Sequence, residues 1–173
     1  MVGSDVMNKE YKSEFKANDL AKYINYKYLE MSNRVTKEIS PLKLQKSLYF
    51  CFAYWGSFVY CGEKNQSELN LGFSKYLFSE PIEAWVYGPV VPTVYRSKEN
   101  LNECNPEEIF KGKEYIRDFI DGILKDVLQA SDFRLVEISH QDKCWKDNFN
   151  PDDLIHDREI DKDEIIREYA REI

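Results

Sequence analysis

The spacing of apolar residues predicts a mainly helical chain. From Asn18 onward, apolar side chains recur every three or four residues, which is the spacing of one face of an α-helix. We therefore expect an amphipathic helix that ends near Asn33. Its apolar face consists of Leu20, Ile24, Tyr28 and Met31.

Ser40-Pro41 marks the start of a second, more apolar helix. Serine is a favoured N-cap, and proline suits the first helical position because its missing N–H would have no partner there. Apolar residues cover most of the circumference, so we expect burial on most faces, with Gly62 as the C-cap. The apolar residues are Leu44, Leu48, Phe50, Cys51, Phe52, Tyr54, Trp55, Phe58 and Val59.

Two short strands are predicted after this helix. Residues 69–73 alternate between apolar and polar, as a half-exposed strand does. Ile82–Tyr87 is a second candidate, ended by Gly88, which tolerates positive φ, and Pro89, which cannot continue a ladder. We expect the two strands to pair as a small hairpin.

Proline and capping residues indicate further helices. A short helix follows Pro92, another begins at Asn105-Pro106, and Asp161 with Glu164 forms a capping box before the last helix. We expect three apolar residues of that last helix to dock on the core. They are Ile165, Ile166 and Tyr169.

A longer amphipathic helix is predicted over Glu114–Gln129. Gly122 in its interior costs about 1 kcal/mol relative to alanine, which indicates close contact with another helix. Ser131 or Asp132 then caps a short helix. The broad apolar face of the longer helix contains Ile116, Ile120, Ile123, Leu124 and Val127.

These elements predict one mainly α domain. With 173 residues, the chain has the length of a single domain. Residues 1–16 are polar and read as a flexible leader, and residues 17–173 as the domain. We expect a compact helical domain of about six helices, with a small β-hairpin or a short two- to three-stranded sheet.

Charge and cysteine usage narrow the class of function. The net charge of −7 disfavours a protein that coats nucleic acid by neutralising phosphates. The four cysteines contain no CxxC pair, which favours reduced thiols and a cytoplasmic protein. The longest apolar stretch, Leu48–Cys61, is shorter than the roughly 20 residues of a membrane span, so no membrane partner is expected.

No constellation of residues favours catalysis. A metal site built on His140, His156 and Cys144 would lack a fourth convincing ligand. We expect His140 and Cys144 on one helix, four residues apart, which rarely gives a nucleophile and base the required geometry. Glycine-rich phosphate motifs are also missing from the sequence. We therefore expect no catalytic residue, metal or cofactor, and we expect His140 to hydrogen-bond to a neighbouring element.

The most distinctive segment is an aromatic turn, EAWVYGPVVPTVY at Glu83–Tyr95. Two interpretations are compatible with it. Its rings pack the turn onto the second helix, or they receive a partner protein, either by strand addition or as a hot-spot pocket.

Three motifs together resemble a known family: PLKLQKSLYF at Pro41–Phe50, PIEAWVYGPVVPTVY at Pro81–Tyr95 and SHQDKCW at Ser139–Trp145. In this order they resemble the Panacea domain, the SocA-like and GepA-like family of phages, prophages and bacterial toxin–antitoxin operons. The resemblance implies that its pattern residues define the fold or face a partner. They are Leu44, Gln45, Lys46, Trp85, Tyr87, Gly88, Pro89, Val90, Tyr95, His140 and Trp145.

The resemblance implies an antitoxin that neutralises a co-encoded toxin by direct protein contact, either by sequestration or by delivery to an AAA+ protease. Two features depart from the family pattern. Glu63–Glu80 is a longer stretch than expected, which suggests a role in partner choice, and Cys144 stands where a proline often precedes the tryptophan.

Two alternative functions stay open. One is a phage-encoded anti-defence or accessory protein that binds a host protein through the same aromatic surface. The other is a DNA-binding operon regulator, which would use the basic region Met1–Lys46. This region contains nine basic and six acidic residues. No helix-turn-helix with a basic recognition helix supports this second alternative.

Overall fold

The computed structural model describes residues 12–33, 37–64, 72–152 and 158–171. This part of the chain contains eight helices and two sheets of two strands each, which confirms the mainly helical prediction. In chain order, the elements are β1 (Ser13–Phe15), α1 (Ala17–Met31), α2 (Pro41–Lys64), β2 (Tyr76–Phe78), β3 (Glu83–Trp85), β4 (Gly88–Val90), α3 (Pro92–Tyr95), α4 (Pro106–Ile109), α5 (Glu114–Val127), α6 (Asp132–Ser139), α7 (Lys143–Asn148) and α8 (Lys162–Ala170).

Helix α2 is the centre of the fold. It contacts α1, α5, α6, α8, β2 and β4, and its buried residues run around most of its circumference, as predicted. Trp55 is fully buried, and its indole Nε1 donates to the carbonyl of Ser74 at 2.9 Å. The prediction that Gly62 ends α2 is wrong. The helix continues to Lys64, and Gly62 does not adopt the positive φ of a glycine C-cap.

Side-chain caps begin the helices where the sequence predicted them. Ser40 Oγ accepts from the amide of Lys43 at 3.1 Å, at the start of α2, and donates to Asp132 at 2.7 Å, which joins α2 to α6. Ser131 caps α6, and Asp161 caps α8 through two amides. Each such cap is worth about 1 kcal/mol.

Helix α8 packs closely across α2. A Cβ on Gly56 would lie 2.6 Å from the side chain of Ile166, so only glycine permits this crossing. Ile165 and Tyr169 are also buried, which confirms the predicted docking of the last helix.

The first sheet contains a strand that the sequence pattern missed. β1 pairs in parallel with β2, with Ser13 opposite Tyr76 and Phe15 opposite Phe78. The ring of Phe15 packs against Phe110, with 5.1 Å between ring centroids. Residues 12–16 are therefore part of the fold, although they were predicted to belong to the leader. Residues 1–11 of that leader lie outside the described residues.

The second sheet corrects the predicted hairpin. β3 pairs with β4 in an antiparallel hairpin, and residues 72–73, the described part of the other predicted strand, do not pair with it. Residues 69–71 lie outside the described part of the chain, and Phe73 is not in a strand. Gly88 and Pro89, predicted to end the strand, instead continue the chain into β4 because Gly88 has φ 107° and closes the turn.

Two predictions about the later helices are wrong. A Cβ on Gly122 would meet nothing within 4 Å, so this glycine does not mark a close helix contact. His140 and Cys144 also lie on different elements, since His140 ends α6 and Cys144 is in α7. The break lies near Asp142, whose buried carboxylate accepts from the hydroxyls of Tyr49 and Tyr169 at 2.5 and 2.7 Å.

Candidate functional site: a clamped aromatic hairpin

The candidate site is the β3–β4 hairpin and its two-residue turn, Val86-Tyr87. Each strand has only three residues. A hairpin this short is not stable in water on its own, so neighbouring elements must hold it. Four side chains do so by binding its backbone or that of Val91, the residue directly after β4. We call Gln45, Lys46, His140 and Trp145 the clamp.

From α2, the clamp binds the outer edge of β4. The amide of Gln45 makes a two-way contact with Val91, accepting from its N–H at 2.7 Å and donating to its carbonyl at 3.4 Å. Lys46 Nζ donates to the carbonyl of Pro89 at 2.8 Å. Pro89 lies opposite Ala84 in the hairpin. Proline has no N–H to donate at the outer edge of β4, and Lys46 binds its carbonyl, so Pro89 leaves no backbone group unpaired there.

Lys46 is an unusual member of the clamp because it is fully buried. Within the described residues it forms no ion pair. Burial disfavours the charged ammonium, and it lowers the pKa of Lys46 to about 7. The positive charge therefore depends on one carbonyl for its stabilisation in the protein interior.

Gly88 lies between α2 and α6 at the base of the turn. A Cβ there would lie 2.5 Å from Ser139 Oγ and 2.9 Å from Lys46 Cε. The positive φ and the lack of space both require glycine. The backbone of β4 can therefore lie directly against the Lys46 side chain.

From α6 and α7, the clamp binds the other side of the turn. His140 Nε2 lies 3.0 Å from the carbonyl of Val86, so this nitrogen carries the hydrogen. Trp145 Nε1 donates to the carbonyl of Trp85 at 2.8 Å. The His140 and Trp145 rings stack at 4.1 Å, and Phe149 stacks on Trp145 at 4.7 Å. The predicted contact of His140 with a neighbouring element is confirmed.

Neither edge of the hairpin accepts another strand. The amide of Ala84 donates to the carbonyl of Arg158 at 2.9 Å, and the amide of Ile160 donates to the carbonyl of Ile82 at 2.7 Å. Residues 158–160 therefore cover the free edge of β3, and Gln45 and Lys46 cover the free edge of β4. Strand addition to the hairpin, one of the two predicted modes of partner binding, is therefore wrong.

The turn carries exposed apolar and aromatic side chains. Val86 is 48% exposed, Tyr87 62% and Tyr95, from α3, 58%. Tyr95 makes an edge contact with the half-buried ring of Trp85, at 5.1 Å between centroids. We call Trp85, Val86, Tyr87 and Tyr95 the tip surface.

A groove extends from Tyr95 between α1, α2 and the chain after α3. It has a volume of about 430 Å³, and its apolar lining includes Ile39, Leu44, Val94 and Leu101. This volume is within the range of ordinary ligand pockets.

The hairpin lies within a region that matches a protein family. Residues 66–146 match the family model described as antitoxin SocA-like, Panacea domain. The match confirms the Panacea resemblance. It covers somewhat less than half of the chain. No curated protein and no solved structure matches the chain.

The Panacea match contains the hairpin, His140 and Trp145, whereas Gln45 and Lys46 lie before it, on α2. The clamp therefore joins the matched region to a helix outside it. Of the predicted residues, Pro89 and Val90 are buried in the hairpin, and Leu44 lines the groove.

The predicted residues around the hairpin turn thus separate into three roles. Gln45, Lys46, His140 and Trp145 position the backbone, and Gly88 permits the close approach. Tyr87 and Tyr95 are exposed, and Trp85 is half-buried, as is His140. Sequence reasoning missed Val86, although the two residues between EAW and GPV were a signal for a tight hairpin turn.

Cys144 and His140, the groups considered for chemistry, make different contacts. Cys144 is buried, its Sγ lies 3.5 Å from the hydroxyl of Tyr49, and burial raises the pKa of its thiol. His140 faces the hairpin backbone instead. Within the described ranges, no group of three or more His, Cys, Asp or Glu side chains could hold a metal. His156 lies outside those ranges.

Proposed function

We propose that this chain is a non-enzymatic, cytoplasmic antitoxin that neutralises a co-encoded toxin by direct protein contact, and that the tip surface makes this contact. The observation that carries the proposal is the exposure of Tyr87, on a hairpin held by four side chains, and of Tyr95, on the neighbouring helix α3. The match to an antitoxin-like domain supports the choice of a toxin as the partner.

A clamped hairpin suits protein binding for a physical reason. Binding loses free energy when loops and side chains must become ordered, and a backbone already held in place avoids much of this loss. Tyrosine and tryptophan are also the residue types that dominate binding hot spots. The tip surface combines both properties.

The proposed function does not involve a membrane. None of the described helices has the length and apolar character needed to cross a membrane.

Co-expression tests the proposed function. The small open reading frame next to the gene is induced in a bacterial host with and without this chain. We expect growth arrest from the neighbour alone and restored growth when the chain is present. A harmless neighbour, or one whose toxicity the chain does not relieve, contradicts the proposal.

The lifetime of the toxin separates two modes of neutralisation. Sequestration leaves the toxin at an unchanged half-life in a pulse-chase experiment. Delivery to an AAA+ protease shortens the half-life, and deletion of the protease gene restores it. The same tip surface serves both modes because each begins with toxin binding.

A further inference from the structure

Helix α7 carries Trp145 of the clamp, and its own N-cap residue does not cap it. That residue is Asp142, whose side chain makes no cap hydrogen bond. Its carboxylate instead accepts from the hydroxyls of Tyr49 and Tyr169 in the core, at 2.5 and 2.7 Å. A helix of six residues is too short to be stable by itself, so the first amides of α7 need acceptors from elsewhere.

Glu168 on α8 supplies these acceptors. Its Oε1 accepts from the amide of Lys143 at 2.5 Å, and its Oε2 accepts from the amide of Cys144 at 3.1 Å. Both carboxylate oxygens therefore bind the first turn of α7, where the helix dipole also favours a negative charge. The next residue of α8, Tyr169, binds Asp142. Two adjacent residues of α8 thus hold the start of α7.

The start of α7 is connected to the tip surface through Trp145. This residue directly follows Cys144, so the first turn of α7 sets its backbone position. Its indole donates to the carbonyl of Trp85 at 2.8 Å, and the ring of Trp85 belongs to the tip surface. Glu168 itself is half-buried on α8 and belongs neither to the clamp nor to the tip surface.

We propose that Glu168 is a positioning residue of the tip surface, because it caps α7 from α8 and so holds Trp145 against the hairpin. This inference rests on the proposed function, since it names a residue outside the tip surface that keeps the toxin-contacting hairpin ordered. A hairpin that is ordered before binding loses less free energy when it binds. Substitutions in α8 therefore reach the tip surface through α7.

Hydrogen exchange of the full chain tests this inference on the wild type, Glu168→Ala, Trp145→Phe and the double variant. A lost helix cap changes an opening equilibrium by a factor of about five, so the backbone amides of residues 83–90 should exchange about fivefold faster in Glu168→Ala. In the double variant, Glu168→Ala should add less than about twofold to the effect of Trp145→Phe, because both changes act on the same contact.

The indole N–H signal of Trp145 in a proton–nitrogen NMR spectrum reports its position directly. Its absence in Trp145→Phe identifies it. We expect the signal to move toward that of a solvent-exposed indole in Glu168→Ala. In Glu168→Gln it should stay closer to its wild-type position, because the glutamine oxygen still accepts from one amide. The indole signal of Trp55, which binds the carbonyl of Ser74, should not move in either variant.

Glu137→Ala is the matched control, since it removes an exposed carboxylate from α6, the helix that ends at His140. It should leave hairpin exchange and the Trp145 signal unchanged. Equal acceleration in Glu137→Ala and Glu168→Ala, a double variant whose acceleration is the product of the two single ones, or an unmoved Trp145 signal would overturn the inference. If Glu168→Ala unfolds the chain, Glu168→Gln serves in the same comparisons, with an expected acceleration of about twofold.

These outcomes are distinct from those of the proposed function. Growth rescue by the chain, together with independent effects of Glu168→Ala and Trp145→Phe, rejects only the positioning role. The expected exchange pattern in a chain that rescues no growth rejects only the antitoxin function.

Discussion

At the scale of single residues, Lys46 is a buried ionisable side chain of the clamp. Its ammonium group is buried and donates to one carbonyl, that of Pro89. A methionine of similar length could fill the same space without a charge. The Lys46 side chain therefore positions β4 through a hydrogen bond, whereas the burial of its positive charge disfavours folding.

The pH dependence of stability should reveal this charge. Below pH 7, Lys46 is protonated in both the folded and the unfolded chain. Between its folded pKa of about 7 and its ordinary value of 10.5, the unfolded chain binds more protons, so stability rises with pH. The slope from this residue is at most about 1.4 kcal/mol per pH unit.

Urea unfolding at pH 6, 7.5 and 9 checks this prediction. The wild-type protein should gain stability relative to Lys46→Met as the pH rises, because the variant lacks the titrating group. A constant difference between the two proteins would show that the burial of Lys46 does not shift its pKa.

Gly88 should also be sensitive to substitution. Gly88→Ala places a Cβ 2.5 Å from Ser139 Oγ and imposes a positive φ on alanine. We expect a loss of about 2–6 kcal/mol in the free energy of unfolding, since strain and overpacking each cost about 1–3 kcal/mol.

Gly122→Ala is the matched control for Gly88→Ala. It lies within α5 with open space around it, so alanine should stabilise the protein by about 0.5–1 kcal/mol. Both values come from denaturant unfolding. Equal stability of Gly88→Ala and the wild type would contradict the close approach of β4 and α2.

At the scale of elements, the clamp makes the hairpin depend on α6 and α7. Trp145→Phe removes the N–H that binds the carbonyl of Trp85 but keeps a ring between His140 and Phe149. A single hydrogen bond contributes about 0.5–1.5 kcal/mol, so the protein should remain folded.

Hydrogen exchange measures the local effect of this variant. We expect the backbone amides of residues 83–90 to exchange about three- to tenfold faster in Trp145→Phe. The reason is that loss of this hydrogen bond lowers the free energy of local opening. The amides of α5 should be unaffected. Unchanged exchange in the hairpin would show that the tryptophan contact does not hold it.

The sequence predicted the long elements better than the short ones. Helices α1 and α2 have several apolar turns, and α2 and α8 begin at side-chain caps, so the sequence pattern reveals these helices. β1 and β4 have three residues each, which is too few for alternation to show. The gap between α6 and α7 depends on Asp142, whose burial under two tyrosines is a tertiary feature.

The candidate site was predictable only in part for a related reason. The aromatic residues of Glu83–Tyr95 marked the location. However, Gln45 and Lys46 are polar residues on an apolar helix, and their role requires the hairpin backbone that they bind. The resemblance identified these residues, and the structure distinguishes those that position the backbone from those that reach the surface.

At the scale of the whole molecule, we expect that the matched region does not fold independently. Residues 66–146 lack α2, the helix that contacts most other elements, and α8, which packs across it. The hairpin would also lose Gln45 and Lys46. The antitoxin-like region therefore needs the flanking helices for its structure.

A fragment of residues 66–146 should therefore fail to unfold cooperatively. Without α2, its apolar surfaces have no partner, and we expect a broad, weak thermal transition and little near-UV circular dichroism. The full chain should show one sharp transition. A cooperative fragment with the same near-UV signal would contradict the central role of α2.

The central claim is that the tip surface neutralises a toxin, and growth rescue by two variants tests it most directly. Tyr87→Ser/Tyr95→Ser removes the two exposed rings without touching the clamp, whereas Phe133→Ser removes a ring that is 89% exposed on α6. Both variants should retain the thermal stability of the wild type. We predict that the double variant loses at least about tenfold of the rescue of toxin-arrested growth and that Phe133→Ser retains it, since exposed hot-spot rings carry most of the binding energy. Full rescue by a folded Tyr87→Ser/Tyr95→Ser chain would contradict the account.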